Sequence, residues 1–365
     1  MKILQLIYES AGSPFGFGGA GVRAYEIYRR LSDRHDITLL CMRYPGARDG
    51  MRNGLRHVFA GIESSNLVKS VFSYSLRASL HVMRHGRDYD VIVENFLPST
   101  PFCARFLTTT PVVLQIQDFW GRHTFKRYPL LYALPMFVVE KFYPRLYNKH
   151  IYVSDVTKER FHSSSAFPVI PNGVDEELFL PAAGGERHVL FMSSIDLYKK
   201  GLDLLLGAFA GLSGDGGCVP LVIAGAGRDL DNLRSAAEKL PDGTKDRIRI
   251  PGWLSGADKT AALRDALFVV LPSRHEAQPI SLLEAAACGK PCIVSDIPEL
   301  SFVERGGFGV TFPCGSREGL LEMMRLLLSD AGLRRKMGQR GREYARSYRW
   351  DSVALQFENT LKNIA

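Results

Sequence analysis

Cysteine is scarce: six in 365 residues, with no CxxC pair and no histidine at metal-ligand spacing. That argues against a structural zinc site and against a disulfide framework. Cys41, Cys103, Cys218, Cys288, Cys292 and Cys314 are scattered, several inside apolar runs, and read as buried, reduced thiols of a cytoplasmic protein. No apolar run reaches the roughly 20 residues that span a bilayer. MKILQLIYE enters a strand pattern directly, so no signal peptide is expected. No dense basic run with interleaved aromatics occurs, which argues against nucleic acid as a partner. Repeats and low-complexity segments are also missing.

What is there fits a soluble protein long enough for two domains, 46% hydrophobic with net charge +8. The basic excess is uneven: 22 basic against 16 acidic residues through Leu180, then 24 against 22. An anionic partner, such as a membrane surface or a phosphorylated acceptor, suits the first half. A solvated surface accounts for a mild excess equally well.

Along the chain, short apolar runs alternate with helical patterns. KILQLIY reads as a buried parallel strand, followed by the glycine-rich SAGSPFGFGGAG and the helix VRAYEIYRRLSDR. The loop contains GxGxxG at Gly16, Gly18 and Gly21, but no acid ends the following strand, where Met42 and Arg43 stand. A dinucleotide site is therefore disfavoured. The loop amides, with Arg23, are expected to approach an anionic group instead. In NLVKSVFSYSLRASLHVMRHGR, Val68, Phe72, Leu76, Leu80 and Met83 follow helical spacing among Lys69, Arg77 and Arg84. That stripe fits a helix packed on the sheet or one lying on a membrane. PVVLQIQD ends in Gln117 and Asp118; Asp118 points into a ligand crevice or caps a turn. The aromatic, basic YPLLYALPMFVVEKFYPRLYNKH is broken by Pro135 and Pro144, as a kinked helix pair or a lipid-touching segment would be. Around Asn172-Gly173 and Pro181 to Gly185 lies a linker, after which the alternation restarts. Two doubly wound domains, 1–180 and 181–349, facing a central cleft, are expected, with helix 350–365 packing back on the first.

HEAQPISLLEAAACGKP carries the chemistry. Pro279 suits a first helical position, and Gly289 with Pro291 ends the helix. Glu276 lies in the loop and Glu284 on the helix, so both can line a crevice at the strands' carboxyl ends. The helix amino end between them suits a phosphate.

These residues, with VIPNGVDEELF, KKGLDLLLGAF, LVIAGAGRDL and IRIPGW, resemble the retaining nucleotide-sugar glycosyltransferases of glycosyltransferase family 4, which have the GT-B fold. The resemblance runs along nearly the whole chain, and the E-x7-E pair followed by AxxCGKP is its most specific part. It implies that Glu276 binds the donor sugar's hydroxyls, Glu284 the ribose hydroxyls, and Lys200 the diphosphate, helped by the amides of Ile280 and Ser281. The backbone from Arg249 through Pro251 to Gly252 would hold the base, and the loop at Gly18 and Gly19 would face the donor. Ser194 stands where the family often has an arginine, Gln117-Asp118 where it often has a histidine, and Pro279 where it often has a glycine. By resemblance the leaving phosphate assists front-face attack, so no protein nucleophile, metal or cofactor is expected beyond the nucleotide sugar. The acceptor would be a saccharide or lipid-linked saccharide, with peripheral membrane contact. A sugar-nucleotide epimerase using Asp118, or a non-catalytic nucleotide-sugar binder, is compatible with the same fold.

Overall fold

The structure, a computed structural model, describes residues 1–161, 168–180, 185–212 and 219–365. Two compact units divide it: Met1–Asn172 with Trp350–Ala365, and Gly173–Arg349.

The first unit holds strands β1 (Lys2–Leu6), β2 (Asp36–Met42), β3 (Gly50–Arg52), β4 (Leu55–Ala60), β5 (Val91–Asn95), β6 (Val112–Ile116) and β7 (His150–Tyr152). They form one sheet in the order β3-β4-β2-β1-β5-β6-β7. All neighbours are parallel except β3 with β4, a hairpin turning at Asn53 and Gly54, both at positive φ. The sequence reading left this hairpin out. The order reverses beside β1, so β1 to β2 crosses one way and β4 to β5 to β6 to β7 the other. Right-handed crossovers then place helix Gly19–Leu31 on one face, and helices Leu67–His85 and Leu130–Phe142 on the opposite face.

Helix Trp350–Lys362 belongs to the first unit and packs on Gly19–Leu31. Phe357 meets Tyr28 edge-on, ring centroids 5.7 Å apart. Glu358 is buried, forms ion pairs with Arg34 and Lys362 at 2.8 Å each, and meets the His35 ring at 2.8 Å.

Helix Leu67–His85 does lie on the sheet, but its inward face is Ser70, Tyr74, Ala78 and Val82. Val68, Phe72, Leu76 and Met83 of the expected stripe point to solvent. Small residues around one tyrosine allow the closer approach, and the Tyr74 hydroxyl reaches the Leu40 carbonyl at 2.7 Å.

The second unit contains β8 (His188–Met192), β9 (Leu221–Ala224), β10 (Ile248–Gly252), β11 (Ala266–Leu271), β12 (Cys292–Ser295) and β13 (Gly309–Phe312). Its sheet runs β10-β9-β8-β11-β12-β13, all parallel. β11 is buried along all six residues, as a central parallel strand between helix layers must be.

The expected division after Leu180 moves back to Asn172. Val174 and Leu178 are buried in the second unit's core, and Val174 bridges Arg349 there. Of the cysteines expected to be buried, Cys41, Cys288 and Cys292 are, whereas Cys103 and Cys314 are exposed because both sit in loops beyond strand ends. Cys218 and the linker residues Pro181 to Gly184 lie outside the described residues. Among those described, no helix is long and apolar enough to cross a membrane.

Candidate active site

In the second unit, two loops beyond strand carboxyl ends converge. β8 ends at Met192, and the chain turns through Ser194 to Lys200 before helix Leu202–Ala210. β11 ends at Leu271 and leads through Ser273 to Glu276. Helix Ile280–Ala287 follows, carrying Glu284.

Lys200 and Glu276, 76 positions apart in sequence, meet in a buried pair: Nζ to Oε1 is 2.6 Å, with the residues 7% and 6% exposed. The Ser273 hydroxyl donates to the same carboxylate oxygen at 2.6 Å. Close backbone approach makes this possible. Gly201 has φ +64°, and a Cβ there would lie 2.0 Å from the Pro272 carbonyl oxygen. Only glycine lets the turn carrying Lys200 press so near the turn leading to Glu276.

Arg274 ties the two turns together. Its guanidinium makes two 2.7 Å bonds to the Asp203 carboxylate and donates to the Tyr198 carbonyl at 2.8 Å. Its backbone N–H donates to the Lys199 carbonyl at 2.8 Å. Asp203 holds the Arg274 guanidinium above its ordinary range, so the strut stays charged at any working pH.

Pro279 precedes the first turn of helix Ile280–Ala287 and offers no capping side chain. The amides of Ile280 and Ser281 thus open a helix amino end that favours an anion. Glu284, on this helix and 7% exposed, accepts from Lys259 Nζ at 2.6 Å. Lys259 comes from helix Gly256–Arg264, after β10.

Ser194 is exposed on the loop after β8. That loop is pressed against the end of β9: a Cβ on Gly225 would lie 1.9 Å from the Ser193 carbonyl oxygen, and one on Gly227 2.2 Å from that of Ile195. Arg249 and Pro251 are exposed on the edge strand β10. Among the described residues, no group of three His, Cys, Asp or Glu side chains is placed to hold a metal ion.

The other expected residues belong to the first unit. Asp118, half-buried beyond β6, accepts the Phe119 N–H at 2.8 Å. The Gly18 amide donates to Glu9 Oε2 at 2.9 Å, and that of Gly21 to the same oxygen at 2.6 Å. The chain's own acid therefore sits at the amino end of helix Gly19–Leu31, beside Gly19. Burial raises the Glu9 carboxyl above its usual range. Arg23, expected to face an anion with these amides, is fully buried and donates to the Pro171 carbonyl at 2.5 Å and to Asn172 Oδ1 at 3.2 Å. Burial lowers its guanidinium to about 9. Its place on the inward side of an amphipathic helix decides this.

Sequence reasoning missed Ser273, Lys259, Arg274 and Glu9. Ser273 and Arg274 lie inside the stretch PSRHE, so their closeness to Glu276 was available. Nothing in the spacing marks Lys259 or Glu9.

Two family models match, described as "Glycosyl transferases group 1" over residues 176–344 and "Glycosyltransferase Family 4" over 17–178. The phosphatidyl-myo-inositol mannosyltransferase of Mycobacterium leprae is 34% identical over 204 residues, 54% of this chain and 53% of that protein. The chain thus spans about half the length of the curated relatives it matches first. Among solved structures, sucrose-phosphate synthase from Thermosynechococcus elongatus superposes with a TM-score of 0.79 at 19% identity, covering 100% of this chain and 99% of that one. Anabaena Alr3699/HepE in complex with UDP-glucose gives 0.78 at 18% identity, covering 100% of both chains. At such identities the structural likeness speaks to fold alone. With one family model on each parallel-sheet unit and this fold throughout, the chain belongs to glycosyltransferase family 4 and has the GT-B architecture.

Proposed function

We propose that the protein transfers a sugar from a nucleotide diphosphate sugar to an acceptor hydroxyl, with retention at the anomeric carbon. One observation carries the reading: Lys200 and Glu276 are brought together at 2.6 Å beside the amino end of the helix that bears Glu284.

In the Lys200–Glu276 pair, ammonium and carboxylate neutralise each other. A diphosphate draws Lys200 to itself and adds the amides of Ile280 and Ser281 as further donors. Glu276, released from the ammonium, then accepts the donor sugar's hydroxyls, while Ser273 keeps the carboxylate oriented. Glu284 accepts the ribose hydroxyls. As the glycosidic bond breaks, negative charge grows on the leaving diphosphate, where a fixed ammonium and helix amides stabilise it. The leaving phosphate oxygen takes the acceptor's proton on the same face, so no protein nucleophile is assigned.

UDP-glucose bound to a structural neighbour supports a nucleotide-sugar donor. The mycobacterial relative, whose name specifies a phosphatidyl-inositol acceptor, supports a lipid-linked one. The acceptor would dock on the basic first unit, at the cytoplasmic face of a membrane.

The test is thermal shift with UDP-, GDP- and ADP-sugars, then mass spectrometry of the products. Transfer, or slow donor hydrolysis, that disappears in both Glu276→Ala and Glu276→Gln is the expected result. An isomerised nucleotide sugar, donor binding without turnover, or full activity in either variant would overturn the reading. The glutamine variant keeps an acceptor oxygen for Lys200 and so guards against loss of fold.

A further inference from the structure

In the first sheet the order reverses between β1 and β5. The chain leaves β1 towards β2 on one side and β5 towards β6 on the other. Ligands of open parallel sheets bind in the crevice that such a reversal opens, outside the carboxyl ends of the strands. The residues that follow β1 there are Ile7, Tyr8, Glu9 and Ser10.

Glu9 takes the place that a bound anion would take. Its Oε2 accepts the Gly18 and Gly21 amides at the amino end of helix Gly19–Leu31, which has no acid of its own in the first turn. The second and third glycines of the GxGxxG stretch serve this contact. A Cβ on Gly18 would lie 3.2 Å from Glu9 Oε1, and one on Gly21 2.8 Å from Oε2. Their missing side chains make room for the chain's own carboxylate, where a dinucleotide site makes room for a pyrophosphate. A second anion here meets a fixed negative charge and finds both amides taken.

What Glu9 leaves open suits hydroxyls. Among the described residues, Oε1 accepts from the Tyr8 hydroxyl alone, at 2.9 Å. A carboxylate has about four lone-pair positions, so Oε1 keeps one. Ser10 is 4% exposed, and its Oγ has no hydrogen-bond partner among the described residues. A buried hydroxyl held in this way is costly, and a ligand hydroxyl, donor and acceptor at once, is the group that fits it. Tyr8 lies within electrostatic reach of Arg127 and Tyr128. That guanidinium is engaged by aromatic faces, 4.6 Å from the Trp120 ring and 5.6 Å from that of Tyr128. A carboxylate among half-buried rings takes a sugar by its hydroxyls and by its apolar face.

We propose that Glu9 sets the class of acceptor: it closes the amino end of helix Gly19–Leu31 to phosphate and offers its remaining lone pair to an uncharged saccharide hydroxyl. This rests on the reading of the protein as a sugar transferase. A lipid-linked acceptor would bring its sugar ring to Glu9 and keep its phosphate elsewhere.

The experiment titrates the full chain, labelled with 15N-glycine, with inorganic phosphate. In the wild type the Gly18 and Gly21 amide signals should stay in place throughout. In Glu9→Ala both should move, with phosphate held at least about tenfold more tightly, the worth of one charge-assisted hydrogen bond regained. Glu9→Gln keeps the side chain's size and one acceptor oxygen. It guards against loss of fold and should give the same movement more weakly. In the transfer assay, methyl α-glucoside and methyl α-mannoside are compared with their 6-phosphates. The wild type should prefer the uncharged member of each pair, and Glu9→Ala should shift the ratio of kcat/KM values towards the phosphate by about tenfold or more. Phosphate moving both amides in the wild type, moving them in neither variant, or wild-type transfer that prefers a 6-phosphate would each overturn the proposal. The amide titration needs no turnover. If no sugar is transferred at all, the transferase reading fails, while Gly18 and Gly21 still decide whether Glu9 excludes phosphate.

Discussion

Replacing Lys200 by methionine tests whether the Lys200–Glu276 pair is a true buried couple. Methionine keeps the stem's volume and removes the charge. Glu276, 6% exposed, is left with a carboxylate that has lost its ammonium at 2.6 Å. Removing one member of a buried ion pair costs about 3–5 kcal/mol. The Ser273 hydroxyl remains on the same oxygen at 2.6 Å and offsets roughly 1 kcal/mol of that. The net expectation is a loss of about 2–4 kcal/mol confined to the second unit. For a unit of this size that lowers the melting temperature by about 5–15 °C. Lys200→Met with Glu276→Gln removes both charges and should recover most of the loss, a coupling of at least about 2 kcal/mol. Calorimetry of the wild type, both single variants and the double variant reads this directly. A single variant losing under about 1 kcal/mol, or a double variant as unstable as the sum of the singles, refutes the buried couple.

Gly201→Ala places a methyl 2.0 Å from the Pro272 carbonyl oxygen at φ +64°. The two turns must then part by more than about 1 Å, and turnover should fall on the order of a hundredfold; near-wild-type transfer would show that this contact does not set Lys200. Lys259→Met frees the carboxylate of Glu284 and should raise KM for the nucleotide sugar about tenfold, roughly one charge-assisted hydrogen bond, with a smaller change in kcat. An unaltered KM would reduce that pair to a surface contact. Burial raises the Glu94 carboxyl to about 7, though Tyr143 and Tyr147 donate to it. A carboxyl raised on folding contributes stability that is complete below its unfolded value, about 4.3, and lost as pH rises through 7. Relative to Glu94→Gln, the wild-type first unit should therefore lose on the order of 3 kcal/mol between about pH 4 and 8. Parallel stability curves for the two proteins across that range would contradict it.

The β/α alternation was legible because central parallel strands are buried on both faces. ALFVVL announces itself as an unbroken apolar run, and KILQLIY and PVVLQIQD as short apolar runs interrupted by a few polar residues. Glu276 and Glu284 were legible because a proline, a glycine and a helix-forming run fix their spacing locally. What pairs with them was not. Lys200 reaches Glu276 only because Gly201 presses on Pro272, a contact across 71 positions that no periodicity encodes. Lys259 reaches Glu284 from the helix that follows the edge strand β10, another pairing that no periodicity encodes. Glu9 at the glycine loop was not legible, because open amides look alike in sequence whether a ligand or the chain's own acid accepts from them. Helix Leu67–His85 shows a second limit. Periodicity reveals two faces, but which turns inward depends on closeness of fit, and Ser70, Tyr74, Ala78 and Val82 fit the sheet more closely than the bulkier stripe.

The return of helix Trp350–Lys362 to the first unit has a consequence for synthesis. As the chain emerges from the ribosome, Tyr28, Arg34 and His35 are made early, but Phe357 and Glu358 arrive only after residues 173–349 have been translated. The second unit is a continuous stretch and can close while its neighbour still waits with an uncovered helix. Nascent chains halted before Trp350 should therefore be protease-sensitive within the first 172 residues and resistant beyond them.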